Sequence, residues 1–292
     1  MLRFDSAADL TALCEKESKT IADLVIEVES ADTDESREAI LDLMRSRLQI
    51  MAESIAKGRA LRKRSHSGLS GGDAAKLAAA SGTRAPLLGE LAHKTMGDAL
   101  AVAELNASLG KIVAAPTAGS SGVLPAVMLN LTEHLQQSED DLVRAAFTAS
   151  GIGILIAKHA TLSGAEGGCQ AECGAASAMA AAAAADLMGA DAKTILNAAA
   201  LALKNSLGLT CDPVAGLVEV PCAKRNAFHA VHALVAAEMA MAGIESVIPF
   251  DEVVSAMRET GRLMSDRLRE SALAGLARTP TAVAIAEELA RG

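Results

Sequence analysis

Ser163-Gly-Ala-Glu-Gly-Gly-Cys169-Gln-Ala-Glu-Cys173-Gly, followed by an alanine-rich run from Ala175 to Leu187, is the stretch whose reading decides the fold. A glycine-rich loop runs into a cysteine, and the cysteine opens a long helix of small residues. Alanine has the best helix propensity of any residue. Small side chains also let helix axes approach closely. The rest of the composition agrees: there are four Phe, no Trp and no Tyr, so the core is built from Ala, Leu, Ile, Val and Met. The expected fold class is all-α, a compact multi-helix domain with glycine-rich loops around a buried site.

The chain has 292 residues, 51% of them apolar, enough for a sizeable core. Its net charge is −9. The one basic run is Arg59-Ala-Leu-Arg62-Lys63-Arg64, which reads as the solvated end of a helix, a position that suits the helix dipole. Without aromatic stacking residues or a basic stripe, nucleic-acid binding is disfavoured. No segment qualifies as a membrane span, since Ala175 to Leu187 is short and contains Asp186. The opening Met-Leu-Arg-Phe-Asp-Ser shows no signal-peptide core, so the expected location is the cytoplasm. In that reducing compartment the five cysteines are free, metal-bound or catalytic rather than a disulfide framework.

Helical periodicity runs from Ser6 to about Glu29, and Asp32-Thr-Asp-Glu35 reads as the start of a second helix reaching about Arg59. Further helices are expected up to Ala80, over Leu88–Leu109 and Val123–Leu135, from Ser138 to His159, and from the opening stretch to about Met188. Asp191 caps one through about Leu207, Lys224 to Ala242 forms another, and Ile248-Pro-Phe-Asp251 starts a third. Two short pieces flank Thr279-Pro280. Gly110 to Pro116 is the candidate for extended structure, and Gly208 to Pro221 reads as irregular. No repeat or linker divides the chain, so residues 1–292 are read as one domain.

Three glycine clusters precede helices, at Ser67–Gly72, Thr117–Gly122 and Ser163–Gly168. A helix start leaves N–H groups unpaired and carries partial positive charge, which suits a small anion. Plain capping explains each cluster singly; three together, each carrying Ser or Thr, favour anion binding. None matches a Walker loop, and no strand precedes any of them as a dinucleotide fingerprint requires.

No two cysteines are spaced Cys-x-x-Cys, which disfavours a zinc ribbon. Free cysteines are commonly just small buried hydrophobes. Position argues for more. Cys169 stands at an expected helix N-terminus, where thiolate is favoured. Cys211 and Cys222 stand in irregular backbone beside prolines. Cys14 lies in an amphipathic helix and reads as core.

Three segments carry a resemblance: Gly164-Ala-Glu-Gly-Gly-Cys-Gln-Ala-Glu172, Leu209-Thr-Cys-Asp-Pro-Val-Ala-Gly-Leu-Val-Glu-Val-Pro-Cys222, and Ala114-Ala-Pro-Thr-Ala-Gly-Ser-Ser-Gly-Val-Leu-Pro125. They resemble the α chain of iron–sulfur-dependent L-serine dehydratase. Arg64–Asp73 and Leu268–Ala277 are also similar to family segments, so the resemblance covers nearly the whole chain. It implies an all-α catalytic module that deaminates L-serine to pyruvate and ammonia. It also implies a [4Fe–4S] cluster held by Cys169, Cys211 and Cys222, with the fourth iron open to substrate. Longer family members carry a second, α+β domain. Its absence here implies a separate β subunit and a hetero-oligomer. Some members end in a cysteine that covers the open iron, whereas this chain ends Glu-Leu-Ala-Arg-Gly292. Cys173 stands where the family has a small apolar residue and reads as core.

On residue chemistry and this resemblance together, Thr117, Gly119, Ser120 and Ser121 suit the substrate carboxylate. Ser67, Gly71, Gly72 and Asp73 suit either the ammonium or the carboxylate, with Asp73 the natural partner for the ammonium group. The base that removes the α-proton stays open among His66, His93, His134, His159, His229 and His232, or falls to the partner subunit. Alternatives are a related lyase acting on cysteine or threonine, and a non-catalytic metal-binding subunit.

Overall fold

The computed structural model describes residues 3–291. Met1, Leu2 and Gly292, on which the readings of the two termini partly depend, lie outside the described residues. Thirteen α-helices follow in order among these residues: α1 Ala7–Glu17, α2 Ile21–Thr33, α3 Arg37–Ala60, α4 Asp73–Ser81, α5 Gly89–Ala107, α6 Val123–Leu135, α7 Glu139–His159, α8 Gly164–Gly167, α9 Ala175–Leu187, α10 Ala192–Lys204, α11 Cys222–Met241, α12 Phe250–Leu263 and α13 Pro280–Leu289. The fold is all-α. No β-strand occurs among the described residues; the single bridge joins Cys211 to Arg269 in parallel, so the extended stretch expected at Gly110–Pro116 is irregular backbone instead.

The alanine run forms the axis of the structure. Every residue of α9 from Ala175 to Leu187 is buried, and α6, α7, α10 and α11 all pack against it. A helix apolar all round belongs in a core. Each buried methyl contributes only about 0.8 kcal/mol, so the gain comes from many close contacts rather than a few large ones. Around this axis α2 packs on α7, α3 on α5, and α5 on α11. The crossing of α3 and α5 depends on Gly58, where a Cβ would lie 2.1 Å from the Ala101 carbonyl oxygen.

Caps set most boundaries. α7 starts after Ser138 as the sequence suggests, and there Ser138 and Asp141 form a reciprocal capping box. The long first helix does not exist as one piece. It breaks at Ser18, which adopts a left-handed conformation, and restarts at a second capping box between Thr20 and Asp23. Asp32-Thr-Asp-Glu35 ends α2 rather than starting α3, because Asp34 is left-handed (φ 57°) and the cap of α3 is Ser36. Asp251 on α12 reaches across to accept the N–H groups of Ala7 and Ala8 at 2.8 and 3.2 Å, fastening α1 to the far end of the chain.

The basic run is less solvated than its composition implies. Arg59 grips the buried Asp98 with two hydrogen bonds of 2.5 and 2.6 Å, and Asn130 donates to the same carboxylate at 2.7 Å. That network ties α3, α5 and α6 together. No helix among the described residues is long and apolar enough to cross a membrane.

Candidate functional site

The N-terminal end of α9 is where the glycine and cysteine motifs meet. Cys169 does not open a regular helix. It sits between the short turn α8 and one turn of wider, π-type helix over Gln170–Gly174, which then runs into α9. Such turns are rare and commonly mark functional positions. Cys169, Cys173 and Cys211 pack together with Leu209, all three cysteines buried. Cys222 is also buried and is the first residue of α11, two positions earlier than the sequence suggests.

The thiols differ electrically. The thiol of Cys173 against Cys169 favours the Cys169 thiolate; burial opposes it and the nearby Arg225 guanidinium assists it, leaving Cys169 below the ordinary range. Cys173 is held well above that range by its partnership with Cys169 and by burial, so it stays a neutral thiol at the cluster of sulfurs rather than an isolated core residue. Burial and then the Glu172 charge raise Cys211, and burial followed by the Cys169 charge pushes Cys222 up to about 12. Cys14, remote from these, is pushed up to about 11 by burial.

Glu172, which closes the first family-like segment but received no role from the sequence, stands at the centre. Its Oε1 accepts the Thr117 hydroxyl at 2.8 Å, and its Oε2 lies 3.9 Å from the Cys211 sulfur. Burial raises its carboxyl above the usual range despite the Thr117 bond. A Cβ at Gly164 would fall 2.5 Å from Glu172 Oε2 and 3.4 Å from the Cys211 sulfur, so only glycine leaves room there. Gly119 faces the same carboxylate and Val218.

In the Thr117–Gly122 loop, Thr117 and Ser120 share a hydroxyl contact of 3.1 Å, and Ser121 donates to the Ala118 carbonyl at 2.8 Å. Asn226 on α11 holds the loop at both ends, accepting from Gly122 N–H at 2.9 Å and donating to Gly119 O at 2.7 Å. The N–H groups of Ala118, Gly119 and Ser120 donate to no acceptor among the described residues. The backbone is therefore free to take an anion.

The Ser67–Asp73 loop is arranged differently from the expectation. The buried Glu104 carboxylate already accepts the N–H groups of Gly72 and Asp73 at 3.1 and 2.7 Å. An internal anion thus fills the helix start that the glycines suggest for a ligand. Asp73 is not free either: Lys224 at 2.7 Å and Lys76 at 2.8 Å hold its carboxyl down to about 2. Gly71 packs against the backbone of Lys63 and Arg64. A second acidic group in this region, without a Lys or Arg partner among the described ion pairs, is Glu219. Ser65, Ser67 and Ser70 donate to it at 2.5, 2.7 and 2.5 Å. Burial works to raise Glu219, but the three hydroxyls outweigh it and leave the carboxyl lowered. Val218 and Glu219 lie between the two loops and lead directly to Cys222.

Most histidines are occupied elsewhere. Ring nitrogens of His93, His229 and His232 contact the carbonyls of Leu77, Arg225 and Ala202 at 3.2, 2.9 and 2.9 Å, and His159 contacts that of Asp5. Burial of its ring lowers the partly buried His229 to about 4. His134 lies in the last turn of α6. His66 is the exposed histidine flanked by Ser65 and Ser67.

Among the described residues no three His, Cys, Asp or Glu side chains converge tightly enough to cage a single metal ion. A zinc–sulfur bond of about 2.3 Å demands sulfurs roughly 4 Å apart. Buried thiols from three separate segments, Cys169, Cys211 and Cys222, are the donor chemistry an iron–sulfur cluster takes. The residues present fit that group.

An all-α core with a cysteine-lined site between two hydroxyl-rich loops defines a class of buried-site helical proteins. The chain belongs to the serine dehydratase alpha chain family, whose model matches residues 16–277. It is 44% identical over 278 residues to the probable L-serine dehydratase alpha chain of Bacillus subtilis, covering 95% of this chain and 92% of that one. It is 41% identical over 277 residues to the L-serine dehydratase alpha chain of Peptoniphilus asaccharolyticus, covering 95% of each. Against the L-serine dehydratase of Streptomyces coelicolor it is 37% identical over 284 residues, covering 94% of this chain and 60% of that longer protein.

Proposed function

We propose that the chain is the catalytic subunit of a lyase that converts L-serine to pyruvate and ammonia, working with a separate β chain. The relatives named above are L-serine dehydratases, and two of them are alpha chains. The observation that carries the reading is the junction at Glu172, which brings the Thr117 loop and Cys211 to one carboxylate. Cys169, Cys211 and Cys222 would hold a [4Fe–4S] cluster, and that group would supply Lewis-acid polarisation of the substrate β-hydroxyl.

The remaining work falls to the chain itself. The free N–H groups of Ala118, Gly119 and Ser120 bind the substrate carboxylate, while the hydroxyls of Thr117 and Ser120, chained to Glu172, hold that loop in register; charge-assisted bonds of this kind are short and strong. Ser121, buried in the same loop, holds its shape. Glu219 and Ser67 receive the ammonium pole, and Gly71, Gly72 and Asp73 form the wall behind them. His66 takes the α-proton, since the other histidines are tied to carbonyls or lie at helix ends. Loss of that proton and of the β-hydroxyl leaves 2-aminoacrylate, whose imine tautomer hydrolyses to pyruvate and ammonia. Residues 1–292 act as one catalytic domain in this scheme, in the cytoplasm.

Anaerobic assay of the reconstituted chain with its β partner on L-serine, L-threonine and L-cysteine tests the proposal. Pyruvate from L-serine at the highest kcat/KM supports it. A higher kcat/KM for cysteine or threonine would replace the substrate, and no turnover of any of the three would leave a metal-binding subunit.

A further inference from the structure

Arg225 lies on α11 one turn beyond Cys222, with its side chain largely buried. Its guanidinium donates to the carbonyl of Thr210 at 2.7 Å and to Asp212 Oδ1 at 2.8 Å. It therefore grips the residues on both sides of Cys211. Asp212 is buried too, and its other oxygen accepts Leu276 N–H at 2.7 Å, while Gly275 packs against the same carboxylate. The segment is pinned again where Cys211 exchanges backbone bonds of 2.9 and 2.7 Å with Leu268 and Glu270. One side chain thus addresses two of the cysteines: Cys222 through its own helix and Cys211 through both of its neighbours.

We propose that Arg225 is the positioning residue that locks Cys211 in place against Cys222 and supplies a positive charge beside that pair of sulfurs. The inference rests on the reading that these cysteines hold an iron–sulfur cluster. Two features separate the two parts of the role. The fork geometry that spans Thr210 and Asp212 belongs to arginine alone, whereas lysine can supply the charge but not both bonds. Second-sphere partners of metal ligands typically change affinity by about 10- to 100-fold when lost.

The test compares wild type, R225K and R225Q, each reconstituted anaerobically with iron and sulfide in the complex with the β chain. Iron release to a chelator and the cluster reduction potential, followed by electron paramagnetic resonance, are measured on each. R225Q should release iron about 10-fold faster or more and show a more negative potential. R225K should release iron faster than wild type while keeping a potential close to it. A purely structural role would lower thermal stability and leave the potential of the loaded protein unmoved. R225Q with wild-type release and wild-type potential overturns the inference; if R225Q does not fold, R225K with wild-type iron release does so. Wild-type chain that takes up no iron overturns the cluster reading itself, and this is seen before any variant is compared.

Discussion

Thr117 donates its hydroxyl to Oε1 of Glu172 over 2.8 Å, joining the loop before α6 to the turn between Cys169 and Cys173. Glu172 in turn faces Cys211. Removing the hydroxyl therefore disturbs the carboxylate loop and its registration with the cysteines together. A hydrogen bond to a charged group is worth about 1.5–3 kcal/mol. Thr117→Ala should lower kcat/KM for serine by about 10- to 100-fold, mostly through KM, and Thr117→Ser should stay near wild type. Unchanged KM in the alanine variant contradicts the carboxylate role.

His66 and the α11 histidines make opposite predictions. General bases contribute about 10²- to 10⁴-fold. His66→Asn should cost at least the lower figure in kcat with the chain still folded. His232→Gln replaces a ring nitrogen that only meets the Ala202 carbonyl and should leave kcat within a few-fold. The reverse pattern would move the base onto α11.

Glu219 gives stability a pH dependence. Its carboxyl is lowered because three serine hydroxyls outweigh the cost of burial. A group lowered on folding adds stability above its unfolded value, about 4.3 for Glu, and that stability drains away as pH falls through the folded value. Glu219→Gln should melt well below wild type at pH 7. The gap should narrow as the pH falls below about 4. A gap that is constant across this range contradicts the account.

Gly58→Ala places a methyl against the Ala101 backbone, which no side-chain rotation relieves. Overpacking of this kind costs about 1–3 kcal/mol, and here the obstacle is main chain. The variant should unfold at clearly lower denaturant concentration than wild type. Wild-type stability would show that the two helices can move apart.

The alanine run, the helix start at Ser138 and the irregular backbone around Cys211 were legible from sequence because each is a local pattern. So was the grouping of the glycine loops with the cysteines, once the motifs were matched to a family. The break at Ser18 was not, since the apolar period continues across it and the signal is one left-handed residue followed by Thr20-x-x-Asp23. Glu104, Glu172, Glu219 and Arg225 were missed for another reason. Charged residues read as surface by default, and their partners are remote: Ser67 and Glu219 are 152 positions apart. Their roles come from tertiary pairing that no periodicity encodes. The same long-range pairing reassigns the Gly71–Asp73 helix start, whose expected ligand is replaced by Glu104 from within the chain.

The central claim is that Cys169, Cys211 and Cys222 together hold an iron–sulfur cluster. The most direct measurement is iron and acid-labile sulfide per chain after anaerobic reconstitution, for wild type and for single Cys→Ser variants at positions 14, 169, 211 and 222. The account predicts about four of each in wild type and in Cys14→Ser, with loss of the cluster in each of the other three. Zinc alone in wild type, or a full complement of iron in any of those three variants, would contradict it.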